Sequence, residues 1–201
     1  MTNVLTITAS VNQDNSKSRA LADAYLEGLQ AKGLHLDRRV EDLSADLPPH
    51  VDGAFVGAIY TPEADRSAAQ VSLLNRSDSY IENLKWADII VIATPMYNFS
   101  VPSTLKAYID HVARVGVTFQ YTETGPQGLL QGKKAVILGA RGGAYGPGSP
   151  AQAMNHQDTY LRTVLGFIGI TQVETVIAEG VAAGEEGFEA AKARLPEILV
   201  A

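Results

Sequence analysis

Residues 87–110 read ADIIVIATPMYNFSVPSTLKAYID. Ala87–Ala93 is a continuous apolar run, and the stretch from Ser103 onward has the spacing of a helix. Between them lie Met96, Tyr97, Asn98 and Phe99, gathered in one short loop. Connecting segments normally run over the surface, where large apolar side chains are unfavourable unless something covers them. The stretch therefore predicts a buried strand, a helix, and between them a loop that waits for a cover.

The same alternation runs along the chain. Val4–Ala9, Ala135–Gly139 and Val173–Ala178 are further continuous apolar runs, the pattern of strands covered on both faces. Leu34–Leu43 alternates and reads as a weaker edge strand. Helices are expected at Ser18–Lys32, about Ala68–Leu84, Ser103–Val115, about Asp158–Phe167 and about Glu186–Leu199. Strand and helix alternating in this way predict an α/β fold, a doubly wound five-stranded parallel sheet flanked by helices, with right-handed crossovers. No repeat or linker interrupts it, so residues 1–201 are expected to form a single domain.

Two segments exceed the minimal pattern. Ser44–Arg66 is long, proline-containing and partly apolar. Gly116–Gly132 contains an alternating Thr-Phe-Gln-Tyr-Thr followed by a Glu-Thr-Gly-Pro turn. Long ordered loops are often binding loops; surface decoration is the alternative.

Composition removes several function classes. Hydrophobic residues make up 46% of the 201, the formal net charge is −6, and the basic residues are scattered. That weighs against nucleic acid and anionic membranes as partners. The absence of cysteine excludes disulfides, thiolate catalysis and Cys-ligated zinc. The first residues lack a basic leader, and no apolar run approaches ~18 residues. A cytoplasmic protein is the expectation.

In a doubly wound sheet, ligands sit beyond the carboxyl ends of the strands. After the first run comes the loop Ser10–Arg19, rich in hydroxyls and amides, which opens a helix. Its free N–H groups and dipole favour a phosphate, with Ser16 and Ser18 as hydroxyl donors; an ordinary N-cap by either serine is the alternative. After Ala93, a planar heteroaromatic ring would cover Met96, Tyr97 and Phe99 and use their N–H groups, unless these side chains fold back into the core. After Gly139 come Ala140, Arg141, Gly142 and Gly143, whose glycines permit close backbone approach; a plain flexible loop is the alternative. One ligand with a phosphate at one end and a flat ring at the other answers all three loops, and flavin mononucleotide (FMN) has that shape.

Other motifs fail. No G-x-G-x-x-G follows the first strand. Gly128–Lys134 resembles a phosphate loop only superficially, being one residue short and lacking the following Ser/Thr. Gly148-Ser149-Pro150 is not a nucleophile elbow. His35, His50, His111 and His156 show no metal spacing, and His111 reads as a packed or surface residue.

The chain resembles the FMN-dependent NADH:quinone oxidoreductases that also reduce azo dyes, the azoreductases. The pieces that carry the resemblance are Ser10 with Asn15–Ser18, Pro95–Phe99, Val112–Phe119, Tyr121–Glu123, Gly125-Pro126, Gly128-Leu129, Arg141–Gly143 and Leu165–Ile170, spread in order over most of the chain. The resemblance implies a flavodoxin-like fold, a homodimer, and one FMN per subunit near the dimer interface. It places FMN contacts at Ser10, Ser16, Lys17, Ser18, Met96, Tyr97, Asn98, Phe99, Ala140, Arg141, Gly142 and Gly143. Ala140 stands where family members often carry serine, and Tyr145–Gln157 is less familiar. Phe119 and Tyr121 are candidates for the substrate-pocket wall.

The implied reaction is ping-pong. NADH or NADPH passes a hydride to the flavin and leaves, and a quinone or azo compound then receives two electrons. No catalytic side chain and no metal is expected. A flavodoxin-type electron carrier is the nearest alternative, disfavoured by the long Ser10–Ser18 loop; an NAD(P)H:FMN reductase is another.

Overall fold

The computed structural model describes residues 1–198. The strands are β1 (Thr2–Thr8), β2 (Leu36–Asp42), β3 (Ile89–Pro95), β4 (Phe119–Thr122), β5 (Gly125–Gly128), β6 (Lys134–Ala140) and β7 (Gln172–Ala178). The helices are α1 (Lys17–Ala31), α2 (Gly53–Tyr60), α3 (Ala68–Trp86), α4 (Ser103–Val112), α5 (Asp158–Phe167) and α6 (Glu186–Ile198). Leu199, the expected last residue of the final helix, lies outside the described residues, as do the two that follow it. No helix among the described residues is long and apolar enough to cross a membrane.

Five strands form one parallel sheet in the order β2-β1-β3-β6-β7. Its central strands are apolar on both faces because each face has its own helical layer. Leu5, Ile7, Ile90, Ile92 and Ile137 pack toward α3, α4 and α5. Val4, Val91, Val136 and Leu138 pack with Leu21, Tyr25 and Leu195 from α1 and α6. Successive side chains of a strand point to opposite faces, so a strand buried on both sides reads as one unbroken apolar run. This flavodoxin-like arrangement matches the expected fold.

Three local readings need correction. Val173–Ala178 was expected to be covered on both faces, yet β7 is an edge strand that, among the described residues, pairs only with β6 and leaves Gln172 and Glu174 exposed. The helix expected at Ser103–Val115 stops at Val112, because the Thr118 hydroxyl donates to the Val112 carbonyl at 2.6 Å and accepts from the Arg114 N–H at 3.0 Å. Ser44–Arg66, read as a loop, contains α2, capped by Asp52, whose carboxylate accepts from the Phe55 N–H at 2.8 Å. Gly53 and Gly57 weaken its helical propensity, and burial of Phe55 and Ala58 against Leu74 compensates. In Gly128–Lys134, already set aside as a phosphate loop, Gly128 serves packing and Gly132 takes a positive φ of 75°. A Cβ on Gly128 would lie 2.0 Å from the Gly169 nitrogen, where the β4–β5 hairpin meets the end of α5.

His111 is packed, as expected. It is 2% exposed, its Nε2 lies 2.9 Å from the Pro49 carbonyl oxygen, and its ring meets Phe55 edge-on at 4.6 Å. Burial pushes its pKa down from the ordinary value.

Candidate functional site

The loops after β1, β3 and β6 leave the sheet at one edge, because all three strands are parallel and adjacent. They line an open groove with a cavity volume of about 190 Å³. A separate enclosed cavity in the core, among Ile7, Ile90, Leu105 and Leu161, is almost wholly apolar and offers nothing to orient a polar ligand.

One end of the groove is the start of α1. Ser16 caps the helix, its hydroxyl accepting from the Arg19 N–H at 3.3 Å, so the N-cap reading is correct. The Ser16 and Ser18 hydroxyls also lie 3.1 Å apart, both buried, and both line the groove with Ser10 and Lys17. The Lys17 and Ser18 N–H groups meet no acceptor among the described residues. Capping and anion binding therefore do not compete here, because they use different N–H groups. Arg19, a residue the sequence reading did not single out, fixes this loop. Its guanidinium donates to both Asp42 carboxylate oxygens at 2.7 and 2.9 Å and to the Ser10 carbonyl at 3.2 Å.

The other end is made by the loops after β3 and β6. The β3–β6 ladder continues one step further, with Met96 N–H donating to the Ala140 carbonyl at 2.8 Å. Tyr97 and Ser100 then exchange backbone hydrogen bonds of 3.0 and 3.1 Å around Asn98 (φ 48°) and Phe99 (φ 71°). Positive φ at both central residues makes this a type I′ hairpin turn, an unfavourable conformation for phenylalanine. None of Met96, Tyr97 and Phe99 folds back into the core. The expectation that all three donate N–H groups to a ligand needs correction, since those of Met96 and Tyr97 are engaged within the protein. The Asn98 and Phe99 N–H groups meet no acceptor among the described residues.

After β6 the chain pairs with the start of the β7–α6 loop. The carbonyls of Arg141, Gly142 and Gly143 accept from the N–H groups of Val181 (3.0 Å), Ala182 (3.3 Å) and Gly180 (3.0 Å). The Gly142 and Gly143 N–H groups meet no acceptor among the described residues. Gly142 does not carry a positive φ, and a Cβ there would meet only the Ala182 Cβ at 3.6 Å.

Thus the structure brings Ser10, Ser16, Lys17, Ser18, Met96, Tyr97, Ala140 and Gly142 around one groove. Asn98 lies instead on a neighbouring open depression with Ser103, Lys106 and Tyr160. Phe99 is 40% exposed, its ring 6.0 Å from that of Tyr145, which also covers Gly143. Arg141 does not line the groove, and its backbone N–H and carbonyl are taken by the Ala178 carbonyl at 2.9 Å and the Val181 N–H at 3.0 Å. Its side chain is 1% exposed and turned inward, with Nη1 donating to Glu179 at 2.9 Å and Nη2 ion-paired with Asp158. Phe119 and Tyr121 do not line the groove of this chain: Phe119 packs 4.4 Å from the Phe167 ring, and Tyr121 stands 72% exposed on the hairpin. Asn12, Asn15, Pro95 and Val181 line the groove and were missed. Val181 left no mark in the sequence, because only the extension of the β6–β7 ladder brings it there. No group of metal-ligating side chains occurs among the described residues.

The groove can take an anion at the α1 end and an acceptor-bearing planar edge at the other. Those are the chemical requirements of FMN, and the donor set fits them.

Comparison with known proteins agrees. A family model described as a flavodoxin-like fold matches residues 2–199. A protein of Herminiimonas arsenicoxydans named FMN-dependent NADH:quinone oxidoreductase is 48% identical over 194 residues, covering 96% of this chain and 95% of its own. One of Pseudomonas fluorescens, named FMN-dependent NADH:quinone oxidoreductase 2, is 47% identical over 98% of this chain and 100% of its own. The crystal structure of an azoreductase from Bacillus anthracis superposes with a TM-score of 0.90 at 29% identity, covering 99% of both chains. An FMN-dependent NADH-azoreductase from the same species, solved in complex with FMN, gives 0.87 at 27% identity, covering 99% of this chain and 98% of that one. By sequence along nearly its whole length, and by a fold that brings the three loops together, this chain belongs to the FMN-dependent NADH:quinone oxidoreductase family.

Proposed function

We propose that the protein carries two electrons from NADH or NADPH to quinones and azo compounds in a ping-pong cycle, with FMN held in the groove. The observation that carries this reading is the pairing of an anion-accepting helix start with an apolar wall of Pro95, Met96, Tyr97, Ala140 and Val181 in one groove. FMN supplies the hydride acceptance and two-electron chemistry that no side chain here offers. The protein's part is to bind, orient and tune. The Lys17 and Ser18 N–H groups and the Ser16 and Ser18 hydroxyls hold the phosphate. Ser10 and Lys17 line that end, and Met96 and Tyr97 give the ring its wall. Of the N–H groups without an acceptor, that of Gly142 lines the groove, and those of Gly143, Asn98 and Phe99 stand on the adjoining loops; together they would hold the ring's polar edge, where such donors stabilise negative charge that develops on reduction. Ala140 lines the groove, and Arg141 would act by holding the loop that carries Gly142 and Gly143. No side-chain acid or base is assigned, because solvent can supply the protons.

We also infer one domain over residues 1–201, acting in the cytoplasm as a homodimer. Exposed apolar residues on and around α2 and α3, among them Leu47, Val56, Tyr60 and Val71, support a partner surface. Phe119 and Tyr121, which lie off the groove of their own chain, are assigned to the substrate wall only through such a partner. Sedimentation should give twice the chain mass; a monomer with full turnover would refute the dimer.

The deciding experiment is an anaerobic titration of the FMN-loaded protein with NADH and then benzoquinone, followed by initial rates. Bleaching by NADH, recovery with the quinone and parallel double-reciprocal lines are expected. Intersecting lines would rule out ping-pong transfer, and a protein that ignores FMN would overturn the reading altogether.

A further inference from the structure

We propose that Gln157 is a positioning residue for the ring end of the groove, an inference that rests on the FMN reading above. Gln157 is fully buried and bonds the end of β3 and the first residue beyond β6, the bases of the two loops that form this end. Its amide Nε2 donates to the Thr94 carbonyl at 3.2 Å, two residues before Met96. Its Oε1 accepts from Arg141 Nε at 2.9 Å. One primary amide thus joins the last turn of β3 to the first residue beyond β6. A carboxylate or an apolar side chain of the same length cannot both donate and accept at these positions.

The neighbours of Gln157 act in the same direction. The His156 N–H donates to the Phe99 carbonyl at 2.9 Å, and the Ser100 hydroxyl donates to the His156 carbonyl at 3.2 Å. Arg141 Nη2 donates to the Asn155 side-chain oxygen at 3.1 Å. Three consecutive residues, 155–157, therefore grip the Asn98–Phe99 turn on one side and the Arg141 loop on the other. The turn holds two non-glycine residues at positive φ, a conformation that persists only where the surroundings enforce it. The N–H groups of Asn98 and Phe99 stand on one loop and those of Gly142 and Gly143 on the other, so a single planar edge can use both sets only at one loop separation. The β3–β6 ladder fixes the two loops only as far as Met96 and Ala140; beyond it segment 155–157 sets that separation, with the Gln157 amide as its buried fastening. The guanidinium joined to it is held from the far side by Glu179 and Asp158, so Arg141 cannot follow the ligand.

The test compares flavins and reads the redox centre as well as affinity. Gln157→Met keeps the length and removes both bonds. Gln157→Glu keeps the acceptor for Arg141 and loses the donor to Thr94. Each should weaken FMN and riboflavin alike, by about tenfold, because the ring end is common to both. The midpoint potential of bound FMN should fall, because misplaced N–H groups stabilise the reduced ring less. Ser16→Ala with Ser18→Ala is the contrast, expected to penalise FMN more than riboflavin. A folded Gln157→Met with unchanged flavin affinities and potential overturns the proposal, as does one that loses FMN while keeping riboflavin. If Gln157→Met does not fold, the same readouts on Gln157→Glu decide. A wild-type protein that takes up neither flavin overturns the functional reading itself; flavin binding that is indifferent to Gln157 overturns only this assignment.

Discussion

The Lys17 ammonium bonds the Glu185 carboxylate at 2.5 Å and lies 4.8 Å from the centre of the Phe188 ring. Lys17 lines the α1 end of the groove, so the residue that holds its charge comes from the loop before α6, at the far end of the sequence. An anion arriving there meets a cation that is already paired.

Glu185→Gln should therefore tighten FMN by a few-fold while leaving riboflavin unchanged. The pair is solvent-exposed on the Glu185 side, so the gain stays within the range of surface ion pairs, about 0–1 kcal/mol. It should fade in strong salt, where such charges are screened. Fluorescence titration of both flavins at two ionic strengths checks this; equal tightening of riboflavin would contradict it.

Gly142→Val should impair FMN binding and leave the fold intact, with Gly142→Ala intermediate. Gly142 has no positive φ, and the space where its Cβ would lie is bounded only by Ala182 at an ordinary contact distance. Backbone strain is thereby removed as a rival cause for alanine, and any loss of FMN reports the approach of the ligand. Circular dichroism and calorimetric FMN titration are the measurements. Normal binding by Gly142→Val would end the idea.

Phe99→Gly and Phe99→Ala both remove the aromatic ring, and they differ only in a Cβ at φ 71°. A left-handed residue with a Cβ costs about 1–2 kcal/mol, partly offset by glycine's greater chain entropy. The glycine variant should therefore be more stable by about 1 kcal/mol, about 2–4 °C in Tm for a chain of this size. Equal melting temperatures would show that the turn relaxes when the ring is gone.

Asp42 should make stability fall in acid. Hydrogen bonds from the Arg19 guanidinium, aided by the Ser44 hydroxyl and N–H, hold its carboxyl well below the usual carboxylate range. A depressed folded-state pKa contributes stability above the ordinary aspartate value of about 3.9 and loses it as the pH falls toward the folded value. Asp42→Asn should melt below wild type at neutral pH, and the gap should narrow as pH drops below about 4. A gap that is constant across that range would mean that the ion pair is not its source.

The unbroken apolar runs of β1, β3 and β6, and the hydroxyl-rich and glycine-rich loops after them, are local properties of the chain. They sufficed for a parallel α/β sheet and for three loops at one edge, because in such a sheet every strand's carboxyl end faces the same way. The resemblance carried by Pro95–Phe99, Arg141–Gly143 and the other pieces added the family. What the tertiary structure alone decided is where each polar group points and what it meets. The Met96 N–H is taken by Ala140 and that of Tyr97 by Ser100; the Arg141 guanidinium turns inward to Glu179 and Asp158; Val181 joins the groove; α2 forms on a glycine-containing segment because Leu74 buries its apolar face. The residues that settle these outcomes mostly lie far away along the chain. A hydrogen bond or a buried face is a property of two partners, and a local pattern specifies only one of them.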